Sequence, residues 1–254
     1  MGKFLEVITS QIVPLYLTSM PQARLALVCS ARSGSTKALG TTNLLLKAAA
    51  QALEGDKTGD DLSSSIASLK VGGSSSSSSS ASTSDLADST SSLPSPPQAA
   101  FEQTIDVLLR EHLAAVDQAV RRDADLRARL EADVRADCER LRQFLQAAKI
   151  IEEISSRSKD IILSLGERLS CRLVCGALQD LGIPSELVGM ESVIDATFLD
   201  EVTEIRRKSG GVSATQQTLD GESHLDQHFY DHLATKMGER CRAARGVPVV
   251  TGEW

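Results

Sequence analysis

The chain of 254 residues sets 27 Lys and Arg against 34 Asp and Glu, for a formal net charge of −7 at pH 7. A field of that sign repels nucleic acid and anionic membrane surfaces, so neither is expected as a partner. Its hydrophobic content of 41% supports a real core, although only 3% is aromatic.

The five cysteines, Cys29, Cys138, Cys171, Cys175 and Cys241, are odd in number and form no CxxC pair. Neither a disulfide framework nor a zinc knuckle is indicated, and a reduced, cytoplasmic protein is expected. No apolar run approaches the roughly 18 residues of a membrane span. The opening "MGKFLEVITSQIVPLYL" lacks the shape of a cleavable signal, and Glu6 argues against myristoylation at Gly2.

In chain order, Phe4, Val7, Ile8, Ile12, Leu15 and Tyr16 recur at spacings that predict one buried helical face, with Pro14 bending or ending the helix. "ARLALVCS" reads as a short, fully buried strand, because its apolar residues run together. "TTNLLLKAAAQAL" returns to helix, with Thr41 or Thr42 at its cap. Residues 55–98 then turn serine-rich ("VGGSSSSSSSASTSDLADSTSSLPSPP") and bury too little to offset chain entropy, so a disordered insertion is expected.

Beyond it, Phe101, Ile105, Leu108, Leu109, Val116 and Val120 define one amphipathic helix. After the break "RRDAD", Leu126, Leu130, Val134, Cys138, Leu141 and Leu145 define a second, so the two form an antiparallel hairpin. "SKDIILSLGERLSCRLVCGALQDLG" is a further helix ended by Gly182 and Pro184. "SELVGMESVI" and "RGVPVVTG" supply strands. Strands alternating with helices argue a layered α/β domain with a mainly parallel sheet.

In such sheets ligands collect where strands end and helices begin. "CSARSGSTKALGTTN" has that character: Ser30 at the strand end, Gly34 and Gly40 for close approach, Thr42 at the helix entrance. Hydroxyls and backbone N–H groups there suit a carboxylate or phosphate, although a Ser/Gly loop serves ordinary turns equally well. The order GxxxxGK[ST] is absent, so this is no P-loop. Glu167, beside Gly166 on an otherwise apolar helix, needs a partner: an ion pair with Arg157 or Lys159, or a ligand's ammonium group.

Together, "VCSARSGSTKALGTTNLLL", "AAKIIEEISSRSKDIILSLGERLSC" and "GVPVVTG" resemble a fungal-type aspartate kinase of the amino-acid kinase family, in order and rough spacing. The resemblance covers nearly the whole chain outside the serine-rich insertion. It implies a three-layer αβα fold, incomplete here, with a helical hairpin and a disordered serine-rich insertion. Residues 1–54 would open that domain, 55–98 interrupt it and 99–254 continue it. It also implies phosphorylation of the β-carboxylate of L-aspartate with ATP and Mg2+, at the entry to lysine, threonine and methionine synthesis. Carried over by matched motif, Ser30 and Thr42 would line the substrate pocket and Glu167 would bind the α-ammonium; self-association is left open.

The chain departs from the family at both ends. The family's "KFGGTS" phosphate loop is missing, and Lys3 is not its lysine. "TGEW" comes before the family's nucleotide-binding half and regulatory domains. The chain is therefore expected to be a fragment, inactive alone and without catalytic residues of its own. The alternative is a non-catalytic binding or regulatory module derived from such a kinase.

Other patterns have plainer explanations. His224, His228 and His232 fall on one helical stripe, but three in line span about 12 Å by helical rise, too far to share one ion. Cys171 and Cys175 read as small core residues. "RRDADLRARLEADVRADCERLR" reads as a solvated face carrying weak ion pairs.

Overall fold

A computed structural model describes residues 4–20, 22, 24–34, 36–54, 99–209 and 226–251. The serine-rich segment, His224 and the closing Gly-Glu-Trp lie outside the described residues.

The first helix is continuous but not uniform: α1 (Leu5–Val7) runs through a π-helical turn, Ile8–Ile12, into α2 (Val13–Ser19). The wide turn lies directly upstream of Pro14, which has no N–H and whose ring would press on the carbonyl four residues back. Val13 N–H reaches Ile8 O instead, and the helix carries on to Ser19 rather than ending at the proline. An extra residue per turn rotates everything downstream by about 100°, so one 3.6-residue stripe does not hold across it. The expected face is therefore corrected. Phe4, Ile12 and Leu15 are 64%, 54% and 68% exposed, while Thr9 and Val13 are buried with Leu5, Ile8 and Leu17 beside them.

Strand β1 (Leu27–Cys29) is followed by a 3-10 turn, Lys37–Leu39, and helix α3 (Thr41–Glu54). The hairpin is present as α4 (Ala100–Ala119) and α5 (Ala124–Ile151). Its connection is pinned by Asp180, whose carboxylate accepts the N–H groups of Arg121, Arg122 and Asp123 at 3.1, 2.9 and 2.9 Å. Burial pushes the Asp180 carboxyl up, but the three N–H groups outweigh it and hold it below its ordinary value. Asp123 in turn caps α5 through Leu126 N–H.

Helix α6 (Ser156–Asp180) is the centre of the molecule. Ile162, Leu169 and Leu173 pack with Leu44, Leu45, Phe101, Ile105 and Leu145 of α3, α4 and α5. Cys171, Val174, Cys175 and Leu178 face the sheet. The helix closes at Gly182 (φ 78°), with Ile183 N–H bonded back to Leu178 O at 2.9 Å.

Strands β2 (Ser185–Val188) and β3 (Val247–Thr251) complete a parallel sheet of order β1-β3-β2, with Leu27 level with Val249 and Leu187 level with the same residue. Between them lie α7 (Ala196–Lys208) and α8 (Gln227–Ala243), joined by an edge-on contact of Phe198 and Phe229 with ring centroids 5.3 Å apart. On the face away from α6, Leu233, Met237 and Cys241 of α8 cover Val188 and Val250. The sheet is thus covered by helices on both faces, with α3, α4 and α5 as a further helical layer behind α6.

Two expectations need correction here. β1 is an edge strand that α8 does not reach, so Val28 is 73% exposed and the strand is not fully buried. Nor is the charged run of α5 wholly solvated. Asp137 is 1% exposed, bonded to Arg140 and, at 2.8 Å, to Arg172 Nε. Helix α6 brings Arg172 across to it, which helical spacing within α5 does not reveal.

Candidate ligand site at the end of the first strand

Ser30 is the first residue after β1 and is exposed. The chain then makes a closed loop before α3, and three contacts explain its shape. A Cβ at Gly34 would collide with the Leu39 carbonyl, so glycine alone lets the two sides of the loop meet. Thr41 N–H donates to Arg32 O at 3.0 Å, tying the loop's end to its beginning. The Arg32 guanidinium lies 3.7 Å from the Glu111 carboxylate of α4, which anchors the loop to the hairpin. Helix α3 starts at Thr41, its Leu44 N–H bonded to Gly40 O, and Thr42 stands exposed on the first turn.

Gly166, the residue before Glu167, packs against this loop. A Cβ at Gly166 would lie 3.0 Å from Thr41 Cγ2 and 3.1 Å from both Ala31 Cβ and Leu45 Cδ1. Helix α6 therefore touches the residue after Ser30 and the residue before Thr42, with half-buried Glu167 next along the chain. Among the described residues no basic side chain forms an ion pair with Glu167. Arg157 and Lys159 are ten and eight positions back, roughly 15 and 12 Å by helical rise. The expected structural pairing is not formed. The Glu167 charge does act on the Cys171 thiol, which is pushed up by its hydrogen bond to Cys29, by burial and, least, by Glu167.

The structure thus places Ser30 and Thr42 at the two ends of one loop and Glu167 on the helix whose Gly166 packs against that loop. It adds Thr251, which pattern reading did not single out, and separates the two threonines at the start of α3. Thr41, rather than Thr42, is the buried member of the pair. Ser170 Oγ and Thr251 Oγ1 are buried with no partner among the described residues, and Thr251 is level with Cys29 at the strand ends. An unpaired buried hydroxyl costs about 1–3 kcal/mol. Nothing in the one-dimensional pattern distinguishes these hydroxyls from satisfied ones.

The remaining constellations separate. Cys171 Sγ donates to Val250 O at 3.2 Å, whereas Cys175 pairs with Ser185 Oγ at 3.4 Å; both sulfurs are core groups. His232 Nε2 lies 2.7 Å from Glu201, which also takes Lys236 Nζ at 2.8 Å. Glu201 and Lys236 line a cleft of about 380 Å3 with Asp195 and Arg240; Arg240 donates to Gly189 O and Ser192, and Asp195 caps Phe198 N–H. Among the described residues no three His, Cys, Asp or Glu side chains group to hold a metal ion, and no helix is long and apolar enough to cross a membrane.

The fold and this loop define a parallel α/β protein whose candidate ligand loop lies where the first strand meets its helix. The chain is similar to the aspartokinase of Schizosaccharomyces pombe, 29% identical over 252 residues, covering 99% of this chain and 36% of that protein. It is also similar to the aspartokinases of Saccharomyces cerevisiae (27% over 257 residues, 99% and 36%) and Candida albicans (25% over 259 residues, 99% and 35%). The chain spans about a third of the length of these curated relatives. No family model matches it. The resemblance read from the loop, the "GERLS" helix and the closing strand is therefore to proteins called aspartokinase, over nearly all of this chain.

Proposed function

We propose that this chain is the substrate-side part of an aspartate kinase with the amino-acid kinase fold, acting in the cytoplasm. Ser30 and Thr42 take a carboxylate of L-aspartate, and Glu167 takes its α-ammonium. The observation that supports this best is the seat of Gly166 against Ala31 and Thr41, next to Glu167, which has no ion-pair partner among the described residues. Hydroxyl donors suit a carboxylate, and a carboxylate without a protein cation suits an ammonium ion. In phosphoryl transfer the protein chiefly positions groups and neutralises charge, so such contacts count toward catalysis.

The proposed whole-protein reaction uses ATP and Mg2+ on the β-carboxylate, at the first step of lysine, threonine and methionine synthesis. The described residues include neither a GxxxxGK[ST] nor a KFGGTS sequence to cradle phosphates, so no transfer step is derived for this chain, and it is expected to be inactive alone. That feature also favours a second reading, a non-catalytic module that keeps the aspartate pocket. Aspartate-dependent ADP release by the purified chain would refute both the second reading and the expected inactivity.

A thermal unfolding curve with and without millimolar L-aspartate tests the pocket, with Glu167→Ala as control. A ligand that binds only the folded state raises the midpoint by mass action, about 2.7 kcal/mol of stability at a hundredfold excess over Kd. The expected result is an upward shift in the wild type and none in Glu167→Ala. A cooperative melt that ignores aspartate in the wild type removes the pocket assignment.

A further inference from the structure

We infer that His112 is a positioning residue for the loop between β1 and α3: its neutral imidazole, protonated on Nδ1, accepts a hydrogen bond from the Thr41 hydroxyl and fixes the start of α3. This rests on reading that loop as the aspartate-binding element.

His112 lies on the apolar stripe of α4, between Leu108 and Val116, and is 0% exposed. A ring nitrogen sealed from water needs a partner within the protein. Nδ1 lies 2.8 Å from Leu108 O, an atom that can only accept, so the ring proton on that side is assigned to Nδ1. In a neutral ring Nε2 then has a lone pair and no hydrogen. It faces Thr41 Oγ1 at 3.5 Å, where the hydroxyl donates.

The charged groups facing the ring are Arg32 from the loop and Glu111 from α4 itself; α3 contributes the Thr41 hydroxyl. Burial is the largest influence and lowers the His112 pKa; the Leu108 carbonyl raises it, Arg32 lowers it and Glu111 raises it least, leaving it below the ordinary histidine value. The ring is neutral at neutral pH, which is the form that leaves Nε2 free to accept.

The consequence is geometric. Thr41 is held by three neighbours at once: its N–H by Arg32 O, its hydroxyl by His112 and its Cγ2 by the Gly166 face of α6. With its hydroxyl committed to Nε2, the methyl is turned to the seat that carries Glu167. His112 thus sets, from behind, the spacing between the hydroxyls of the loop and the carboxylate of α6 without touching a ligand.

The test uses the whole chain with 15N-labelled histidine, together with amide exchange of residues 31–42, in the absence of aspartate. In the wild type, one of the four histidines is expected to show an Nδ1-protonated neutral ring at pH 7. Thr41→Val should shift its Nε2 resonance and speed exchange of the loop amides about tenfold, the scale of one lost hydrogen bond, while α8 amides are unchanged. Thr41→Ser, which keeps the hydroxyl, should restore both. An Nε2-protonated or cationic ring in the wild type overturns the inference without any variant, as does a folded Thr41→Val with unaltered loop exchange. Since aspartate is absent, these outcomes are separate from success or failure of the aspartate melt.

Discussion

Gly166→Ala is the substitution that most directly probes how the candidate site is assembled. In the interior of an isolated helix the change favours folding by about 0.8–1.0 kcal/mol. Here the new methyl would meet Thr41 Cγ2 at 3.0 Å and Ala31 Cβ and Leu45 Cδ1 at 3.1 Å. Each contact must open by about 0.4 Å to become ordinary. Leu45 is 0% exposed and Thr41 2%, and Thr41 is tied to Arg32, so neither retreats independently. Overpacking of this kind costs about 1–3 kcal/mol. The balance is a net loss centred near 1 kcal/mol, achieved by moving α6 and the loop apart. Urea unfolding should show a lower midpoint at unchanged slope. The aspartate-induced rise in melting point should shrink with it, because Glu167 moves with α6. A Gly166→Ala chain about 1 kcal/mol more stable than the wild type would show only helix propensity at work, and would refute the close seat on which the site depends.

Other consequences are less costly to check. Ser170→Ala removes a buried hydroxyl that has no partner among the described residues, so it should leave stability unchanged or raise it by about 1 kcal/mol; a clear loss on urea unfolding would expose a hidden partner. Asp226 is held down to about 2 by Arg206 and the Phe229 N–H, from an ordinary value of 3.8. A depressed carboxyl stabilises the fold above its unfolded value and loses that contribution as pH falls through its folded value. The stability gap between wild type and Asp226→Asn should therefore close between about pH 4 and pH 2, and a gap constant across that window would contradict the Arg206 pairing. Iodoacetamide on the native chain at pH 8 should label Cys241 first, since the other four cysteines are buried. Burial and then Asp137 push the Cys138 thiol up to about 12, so equal labelling of Cys138 in the native state would contradict its place in the core.

Much of the architecture was legible because apolar spacing reports which face of an element avoids water. The stripes Phe101–Ile105–Leu108 and Leu130–Val134–Leu141–Leu145 are both buried, and they make the hairpin that their period demands. Gly182 and Pro184 end α6, and the closing apolar run forms the fully buried β3. At the candidate site, the hydroxyls of the loop and Glu167 of the "GERLS" helix could be named in advance as candidates, because few residue types suit a strand end or stand out among apolar neighbours. His112 left a signal too, as a histidine on an apolar stripe, but spacing alone does not say what its second nitrogen meets.

The sequence by itself determined the elements, their order and the apolar face of most of them, since those follow from local periods of 3.6 and 2 and from turn chemistry. Only the tertiary structure decided what lay against each face. It left Val28 uncovered at the sheet edge and buried Asp137 under Arg172. It also set Gly166 into the gap between Ala31 and Thr41, which brings α6 against the loop. Each of these depends on a neighbour distant in the chain, and a periodic pattern contains no term for that neighbour.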